Sequence, residues 1–356
     1  MDCKSSIILI MNLCTIKGVR MEAISAVVPK NVVNNREFAK EHFEEDMTAT
    51  INALGIEQRH VCANLETTAL DMCCKAAERI FDDGKIARED IGAVIFVTQT
   101  PDMLIPNNAS VAQFRLGLQR DTLAFDINHA CAGWIYGLWN VSLVAKNLNK
   151  KVLLLDGDTN SKYVSPWDKG TALLFGDCGT ATVVAPADNV ADWYFTFDTD
   201  GSKAEATTLD IGFKHQLSEK AFEYEVQKDG GKRRQIDMYM DGTAIFTQGY
   251  QIIPKLINDF FEELETDSSE YDRLIAHQAN LLLLRKVGKK IGFPEEKQSF
   301  IIENYGNSSS TCIPLAACVE NKHAHALIYA IGAGVSISVG DVVFDDGIFK
   351  ISEEDF

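Results

Sequence analysis

A cysteine, a histidine and an asparagine stand out because each sits where a strand would hand over to a helix. They are Cys131 in AFDINHACAGWIYGL (124–138), His277 in IAHQAN and Asn307 in ENYGNSSS. At Cys131 a short apolar, partly β-branched run ends at Ile127. Apolar residues at helical spacing follow at Trp134, Leu138 and Val141. Strand, sharp turn and helix place the thiol at a helix N-terminus, where the first N–H groups lack backbone partners and the helix dipole is positive. Such a setting pushes a thiol toward thiolate, the form that attacks carbonyls, and the residue's own N–H can face a developing oxyanion. Ala130, Ala132 and Gly133 are small enough to let a carbonyl approach the backbone. A lone cysteine here would usually be an inert core thiol. A histidine and an asparagine in the same position relative to their own strands change that weighing, because open α/β sheets build sites at strand C-terminal edges.

The background composition narrows the chemistry. The chain has 356 residues, with 34 Lys and Arg against 51 Asp and Glu, a formal net charge of −17. That charge excludes nucleic acid and anionic membrane surfaces as partners. Nine cysteines occur without any CxxC pair, which predicts reduced thiols in a cytoplasmic setting. The apolar run at 7–13 is short, follows Asp2 and Lys4, and precedes no small-residue cleavage site. It reads as part of an extra leading segment over 1–15, from an early start codon, rather than as a signal peptide. No run reaches membrane-spanning length. His323 and His325 lack a third ligand, so neither a metal nor a cofactor is predicted.

The hydrophobic pattern alternates strands with helices in two similar halves, 16–187 and 188–356. In the first, a strand at 16–25 precedes an acid-rich helix over 35–54 closed by Gly55. A helix over 68–81 is capped by Thr67, and 91–98 is apolar throughout, the mark of a strand buried on both faces. A loop (101–106), a helix (109–116), the cysteine unit and a strand at 152–156 follow. Strands at 172–175 and 180–185 are expected to pair about a glycine turn, with a connector at 186–192. The second half has a strand at 195–198, then a polar excursion over 204–234 with a hairpin at Gly230-Gly231, then an amphipathic helix at 242–264. A strand at 274–276 runs into His277 and a helix at 280–291. A strand at 300–303 runs into Gly306-Asn307, with a helix at 308–320 holding Pro314 in its first turns. Strands at 326–329 and 335–344 close around Gly332-Ala333-Gly334.

Taken together, the three motifs resemble the β-ketoacyl-[acyl-carrier-protein] synthase III family, condensing enzymes of the thiolase fold. The resemblance runs from about residue 17 to 344. It is supported by Gly55-Ile56, PDMLIPNNA, DKGTALLFGD, MDGTAIF and the glycine turn at 332–334. It implies an α/β fold of two pseudo-duplicated halves in a layered α/β/α/β/α core, and a homodimer. It implies that Cys131 takes an acyl group from a thioester. His277 and Asn307 would then bind a malonyl-acyl carrier protein thioester as it loses CO2. The N–H groups of Cys131 and Ala333 would form a second oxyanion hole, with Ala333 standing where the family often has glycine.

Other departures concern the substrate. Alignment on Gly55-Ile56 puts Ala49 and Ala53 where CoA-using members have a tryptophan and an arginine, and Lys169 where an arginine is usual. The aromatic and cationic clamp for adenine is missing, so the primer is expected on a carrier protein or an unusual thioester. An acidic carrier needs local positive charge. Arg285, Lys286, Lys289 and Lys290 are the candidates, while Leu282 replaces a basic residue common after HQANL. His129, beside Asn128, and Ile105, smaller than the phenylalanine often found there, are the candidate acyl-pocket residues.

Rival chemistries are less well matched. A 3-hydroxy-3-methylglutaryl-CoA synthase needs an acid near the cysteine, and Val97-Thr98-Gln99-Thr100 offers none. A chalcone-synthase-like enzyme shares Cys, His and Asn but not the HACAGW and HQAN wording. An acyltransferase of the same fold, passing the acyl group to an alcohol or amine, would have less use for Asn307. A papain-like hydrolase lacks its flanking pattern. A non-catalytic scaffold would be expected to lose one of the three residues.

Overall fold

Side-chain alternation along two mixed sheets explains the layering. The computed structural model describes residues 12–212 and 217–356. Its sheet strands are β1 (Cys14–Ile16), β2 (Val19–Pro29), β3 (Ile91–Val97), β4 (Leu123–Ile127), β5 (Lys151–Asp158) and β6 (Cys178–Pro186). They continue as β7 (Trp193–Thr199), β8 (Arg273–Ala276), β9 (Ala324–Gly332), β10 (Ser336–Phe344) and β11 (Ile348–Glu354). The helices are α1 (Asn35–His42), α2 (Thr48–Leu54), α3 (Ala69–Phe81), α4 (Asn108–Arg115), α5 (Gly133–Leu148), α6 (Gly242–Leu264), α7 (Leu281–Lys290), α8 (Ile302–Tyr305) and α9 (Cys312–Glu320). One sheet runs β11-β2-β6-β5-β3-β4 and the other β1-β7-β10-β9-β8.

Successive residues of a strand face opposite sides, and here both sides are core. On β3, Ala93, Ile95 and Val97 join a central layer with Trp134, Ile135 and Leu138 of α5 and Ile313 and Leu315 of α9. Val94 and Phe96 join the outer layer under α3. On β9, Ala326, Ile328 and Ala330 face the same central layer, whereas Leu327, Tyr329 and Ile331 pack toward α6 and α7. The order is therefore α3, sheet, α5 with α9, sheet, α6 with α7. Fully apolar strands are what a doubly covered sheet requires. The terminal strands cross between the halves: β11 pairs in parallel with β2, and β1 pairs antiparallel with β7. Of the leading segment expected over 1–15, residues 1–11 lie outside the described residues, while Cys14–Ile16 is sheet-paired. No helix among the described residues is long and apolar enough to cross a membrane.

Four local expectations are corrected. The helix expected over 35–54 is two, because Phe43 is extended and the Asp46 carboxylate accepts from the Thr48 N–H at 2.9 Å. The break lets Phe38 and Phe43 share one small core with Met47, Ile51 and Leu173. The cap of α3 is Thr68 rather than Thr67, in a reciprocal capping box with Asp71. Residues 172–175 are not a strand. Asp168 winds them into turns, accepting from Thr171 Oγ1 at 3.0 Å and, through its carbonyl, from the Ala172 N–H at 2.8 Å. Residues 300–303 are not a strand either. The fully buried Gln278 side chain accepts the Ile301 N–H at 3.1 Å, and the one-turn α8 follows. The hairpin at Gly230-Gly231 forms as a two-stranded ribbon, and Pro314 sits in the first turn of α9.

The seating of α3 yields a stability test. A Cβ on Gly179 of β6 would lie 2.5 Å from Met72 Cβ and 2.6 Å from the Cys73 backbone nitrogen. Gly179→Ala should cost about 2 kcal/mol or more in urea unfolding. Gly201→Ala, with nothing within 4 Å, should stay within about 0.5 kcal/mol of the parent chain.

Candidate active site

The chain leaves β4 at Ile127, turns through 128–132 and enters α5 at Gly133, with the Gly133 N–H bonded to the Ala130 carbonyl at 2.6 Å. A Cβ at Gly133 would stand 2.5 Å from Val97 Cγ1, so only glycine lets the α5 terminus seat on β3. Cys131 is thereby delivered to a cavity of about 610 Å³. Burial pushes its thiol up to about 12, and a hydrogen bond from the Ser309 hydroxyl, Oγ to Sγ 3.6 Å, only partly opposes this. The resting sulfur is a neutral thiol. Desolvation outweighs the helix terminus that would by itself favour thiolate.

His277 follows β8, its N–H bonded to the Tyr329 carbonyl of β9 at 2.9 Å. Asn307 is set differently from the expected strand end. Gly306, at φ +68°, turns the chain where a Cβ would meet the Leu174 carbonyl at 3.0 Å and Arg59 Cγ at 2.8 Å. Asn307 then donates its N–H to the Leu174 carbonyl at 3.0 Å and accepts the Gly176 N–H at 3.1 Å. Its side chain meets His277, Nε2 to Oδ1 at 3.0 Å, and Oδ1 also accepts the Ser309 N–H at 2.9 Å. With an N–H already aimed at it, Oδ1 is the acceptor, so His277 carries its proton on Nε2 and Asn307 keeps Nδ2 as a donor. Burial holds His277 down at about 4, so the imidazole is neutral and works as a donor. Both residues border the cavity that Cys131 borders.

Gly332 completes this wall. Its missing Cβ would lie 3.0 Å from the Ala132 nitrogen and 3.1 Å from the Cys131 nitrogen, and Ala333 beside it lines the cavity. The outer cavity is apolar, with Met238, Met240, Ile245, Phe246 and Leu282. Ala49 and Ala53 line it too, and Lys169 is taken up by Glu45 at 2.6 Å. The basic residues of α7 lie outside the cavity. Arg285 pairs with Glu295 at 2.9 Å, and Lys286 and Lys290 lie 5.6 and 4.6 Å from the centre of the Tyr250 ring. Ile105 and His129 do not line the cavity of this chain. Ile105 is 85% exposed, and His129 bonds through Nε2 to Ser336 Oγ at 3.0 Å and packs on Tyr136.

Sequence reasoning missed Ser309 and Asp158, which the fold brings to the sulfur side of the cavity. The available signals were a third polar residue in the NSSS run and an acid ending the apolar run VLLLDGD.

Comparisons with known proteins point to one family. A family model described as 3-Oxoacyl-[acyl-carrier-protein (ACP)] synthase III matches residues 125–201, and its C-terminal counterpart matches 261–344. The chain is 31% identical to a beta-ketoacyl-[acyl-carrier-protein] synthase III of Clostridium perfringens over 85% of this chain and 90% of that one. It is 30% identical to one of Streptococcus sanguinis, over 89% and 96%. The crystal structure of a 3-oxoacyl-(acyl-carrier protein) synthase from Burkholderia xenovorans LB400 superposes with a TM-score of 0.89 at 30% identity. That match covers 97% of this chain and 99% of the other.

Two histidine environments give opposite titrations. His277 is depressed by burial, whereas His325 is raised by its hydrogen bond to Asp341, Nε2 to Oδ1 2.6 Å. In NMR spectra recorded between about pH 4 and pH 8, the His325 ring should titrate above about 6.5 and the His277 ring should move only near the acid end. A His277 midpoint at the ordinary value would contradict the buried donor.

Proposed function

Because the chain belongs to the 3-oxoacyl-[acyl-carrier-protein] synthase III family, we propose that Cys131 carries the acyl group and that His277 and Asn307 hold the extending thioester. It is a condensing enzyme of the thiolase fold. The observation that carries the assignment of roles is the neutral His277–Asn307 pair, 3.0 Å apart, on the wall of the cavity that Cys131 borders.

In the first half-reaction the Cys131 sulfur attacks the acyl thioester carbonyl. Charge grows on the carbonyl oxygen, and the N–H groups of Cys131 and Ala333 are the donors for it. The donor's C–S bond then breaks, and its thiol departs. In the second, a malonyl thioester on acyl carrier protein places its carbonyl oxygen against Asn307 Nδ2 and against the His277 Nε2–H, which turns to it from Asn307 Oδ1. Loss of CO2 leaves an electron pair shared with that oxygen, so two fixed donors lower the barrier directly. No base is needed, since CO2 departure itself creates the carbanion. A neutral imidazole is suited to this step. The carbanion attacks the acyl carbonyl, and the Cys131 sulfur leaves and regains a proton.

The mouth of the cavity supports carrier-protein priming over CoA. Ala49 and Ala53 offer no ring or charge to an adenine, and Lys169 is neutralised by Glu45. The carrier docks on α7 through Lys286, Lys289 and Lys290, with Arg285 already partnered by Glu295. A homodimer is supported by β4, the edge of its sheet, where Leu123 is 48% exposed and Phe114 of the adjacent α4 is 83% exposed. In that arrangement the exposed Ile105 reaches the partner's acyl pocket, and His129 shapes its own through Ser336. The enzyme works in the cytoplasm.

Intact-mass measurement after incubation with acyl thioesters tests the assignment. An adduct on Cys131, lost in Cys131→Ala and formed faster from acyl-carrier protein than from acetyl-CoA, is expected; no adduct with any donor would overturn it. His277→Ala and Asn307→Ala should each slow malonyl-thioester decarboxylation roughly a hundredfold or more. Reversing charge at Lys289 and Lys290 should raise the Michaelis constant for malonyl-carrier protein severalfold (roughly, at low salt) and leave that for a small malonyl thioester in place.

A further inference from the structure

Val335 carries a β-branched side chain in the left-handed backbone region, where such residues are seldom found. Its φ is +45°. It ends the turn 333–335 that joins β9 to β10, and Gly334 before it is at φ +74°. Gly332 and Ser336 close that turn as opposite partners in the sheet. Val335 is fully buried, and its carbonyl accepts the Asp200 N–H at 3.2 Å. A conformation of this cost persists only where its surroundings fix it.

The contacts that fix it converge on Ser336. Its Oγ meets His129 Nε2 at 3.0 Å, Tyr136 Oη at 3.2 Å and Thr199 Oγ1 at 3.5 Å. The His129 ring packs on the Tyr136 ring with centroids 3.9 Å apart, and Tyr136 packs in turn on Phe197 of β7 at 4.4 Å. His129 stands just ahead of Cys131, in the turn between β4 and α5. At the other end of the 332–336 hairpin, the missing Cβ of Gly332 would lie 3.1 Å from the Cys131 nitrogen. The turn that bears the thiol and the turn that bears Ala333 therefore touch at Gly332 and are tied together at His129–Ser336. Burial lowers His129 below the ordinary histidine value. The ring is uncharged at neutral pH and contributes position rather than charge.

Given Cys131 as the acyl carrier, with its own N–H and that of Ala333 as oxyanion donors, we propose that His129 is a positioning residue for acyl transfer. Through Ser336 it holds the strained 333–335 turn against the cysteine turn, so that both N–H groups meet the oxyanion formed at Cys131. Fixed donors lose their worth when they drift by a fraction of an ångström. The role belongs to the steps in which the acyl group enters and leaves Cys131. CO2 loss has its own donors, His277 and Asn307, and does not draw on it.

Two reactions of Cys131 separate this role from a merely structural one. Acylation by an acyl thioester builds an oxyanion, whereas alkylation by iodoacetamide displaces iodide at a saturated carbon and builds none. Both are read by intact mass. His129→Phe keeps a ring on Tyr136 and removes the bond to Ser336. It should acylate roughly tenfold more slowly at saturating thioester, with the half-saturating concentration and the iodoacetamide rate close to those of the parent. His129→Gln returns an amide nitrogen to the neighbourhood of Nε2 and should recover most of the lost rate. Ser336→Ala breaks the same bond from the other side and should match His129→Phe, and it decides the matter if His129→Phe does not fold. Acylation of His129→Phe at the parent rate, slowing of both reactions by one factor, or a His129→Gln no faster than His129→Phe would overturn the clamp. A parent enzyme with no Cys131 adduct from any thioester would overturn the nucleophile assignment instead.

Discussion

Burial of polar groups at the meeting of two sheet edges is the constraint on which the chemistry rests. Desolvation raises the Cys131 thiol to about 12, lowers His277 to about 4 and raises Asp158 to about 6. All three shifts favour the uncharged form. Cys131 and His277 are therefore uncharged at rest, and fixed donors beside them are suited to charge that exists only during reaction. Donors in a low-dielectric setting are worth more to a developing oxyanion than the same donors in water.

That site is assembled from backbone that tolerates little change. Gly133 brings α5 onto β3, Gly332 leaves β9 no room for a Cβ against the Cys131 nitrogen, and Gly306 turns Asn307 into its clip between Leu174 and Gly176. Gln278 binds the Ile301 N–H and the Ala276 and Ser299 carbonyls, joining the histidine segment to the chain that leads to Asn307. The HQAN motif thus contributes twice, once by setting His277 on the cavity wall and once by holding the asparagine's approach. Placement to a few tenths of an ångström is what positioning in catalysis requires.

Legibility in the sequence followed the range of the interactions. Strands buried on both faces, such as Ile91–Val97, and strongly periodic helices, such as Ala69–Phe81, announce themselves because their own residues decide them. The cysteine turn and His277 were readable for the same reason. Asn307 lies on the wall of the cavity with Cys131 and His277, but not on the strand end expected for it. Its conformation depends on Gln278 and Leu174, more than 25 and 130 residues away in the chain. Strand β11 was missed because its partner is β2, at the other end of the sequence. The acid sought within 97–100 is absent from that segment, yet Asp158 binds that segment from the neighbouring strand. No local pattern reports a contact of that kind.

Charge on this chain must be judged locally rather than in sum. A net charge of −17 repels an acidic partner at long range, but the Debye length at physiological salt is only about 8 Å. Part of the cationic charge is already committed, Lys169 to Glu45 and Arg285 to Glu295. Lys286 and Lys290 instead lie near the face of Tyr250, which orients an ammonium without neutralising it. A cation over a ring keeps its full charge for an incoming carboxylate or phosphate, whereas one in an ion pair must first give up a partner. Leu282, on the first turn of the same helix, is 44% exposed and lines the cavity. Helix α7 therefore presents charge at its C-terminal end and an apolar edge at the opening. That order suits a partner whose acidic surface docks first and whose tethered thioester then slides inward along an apolar wall.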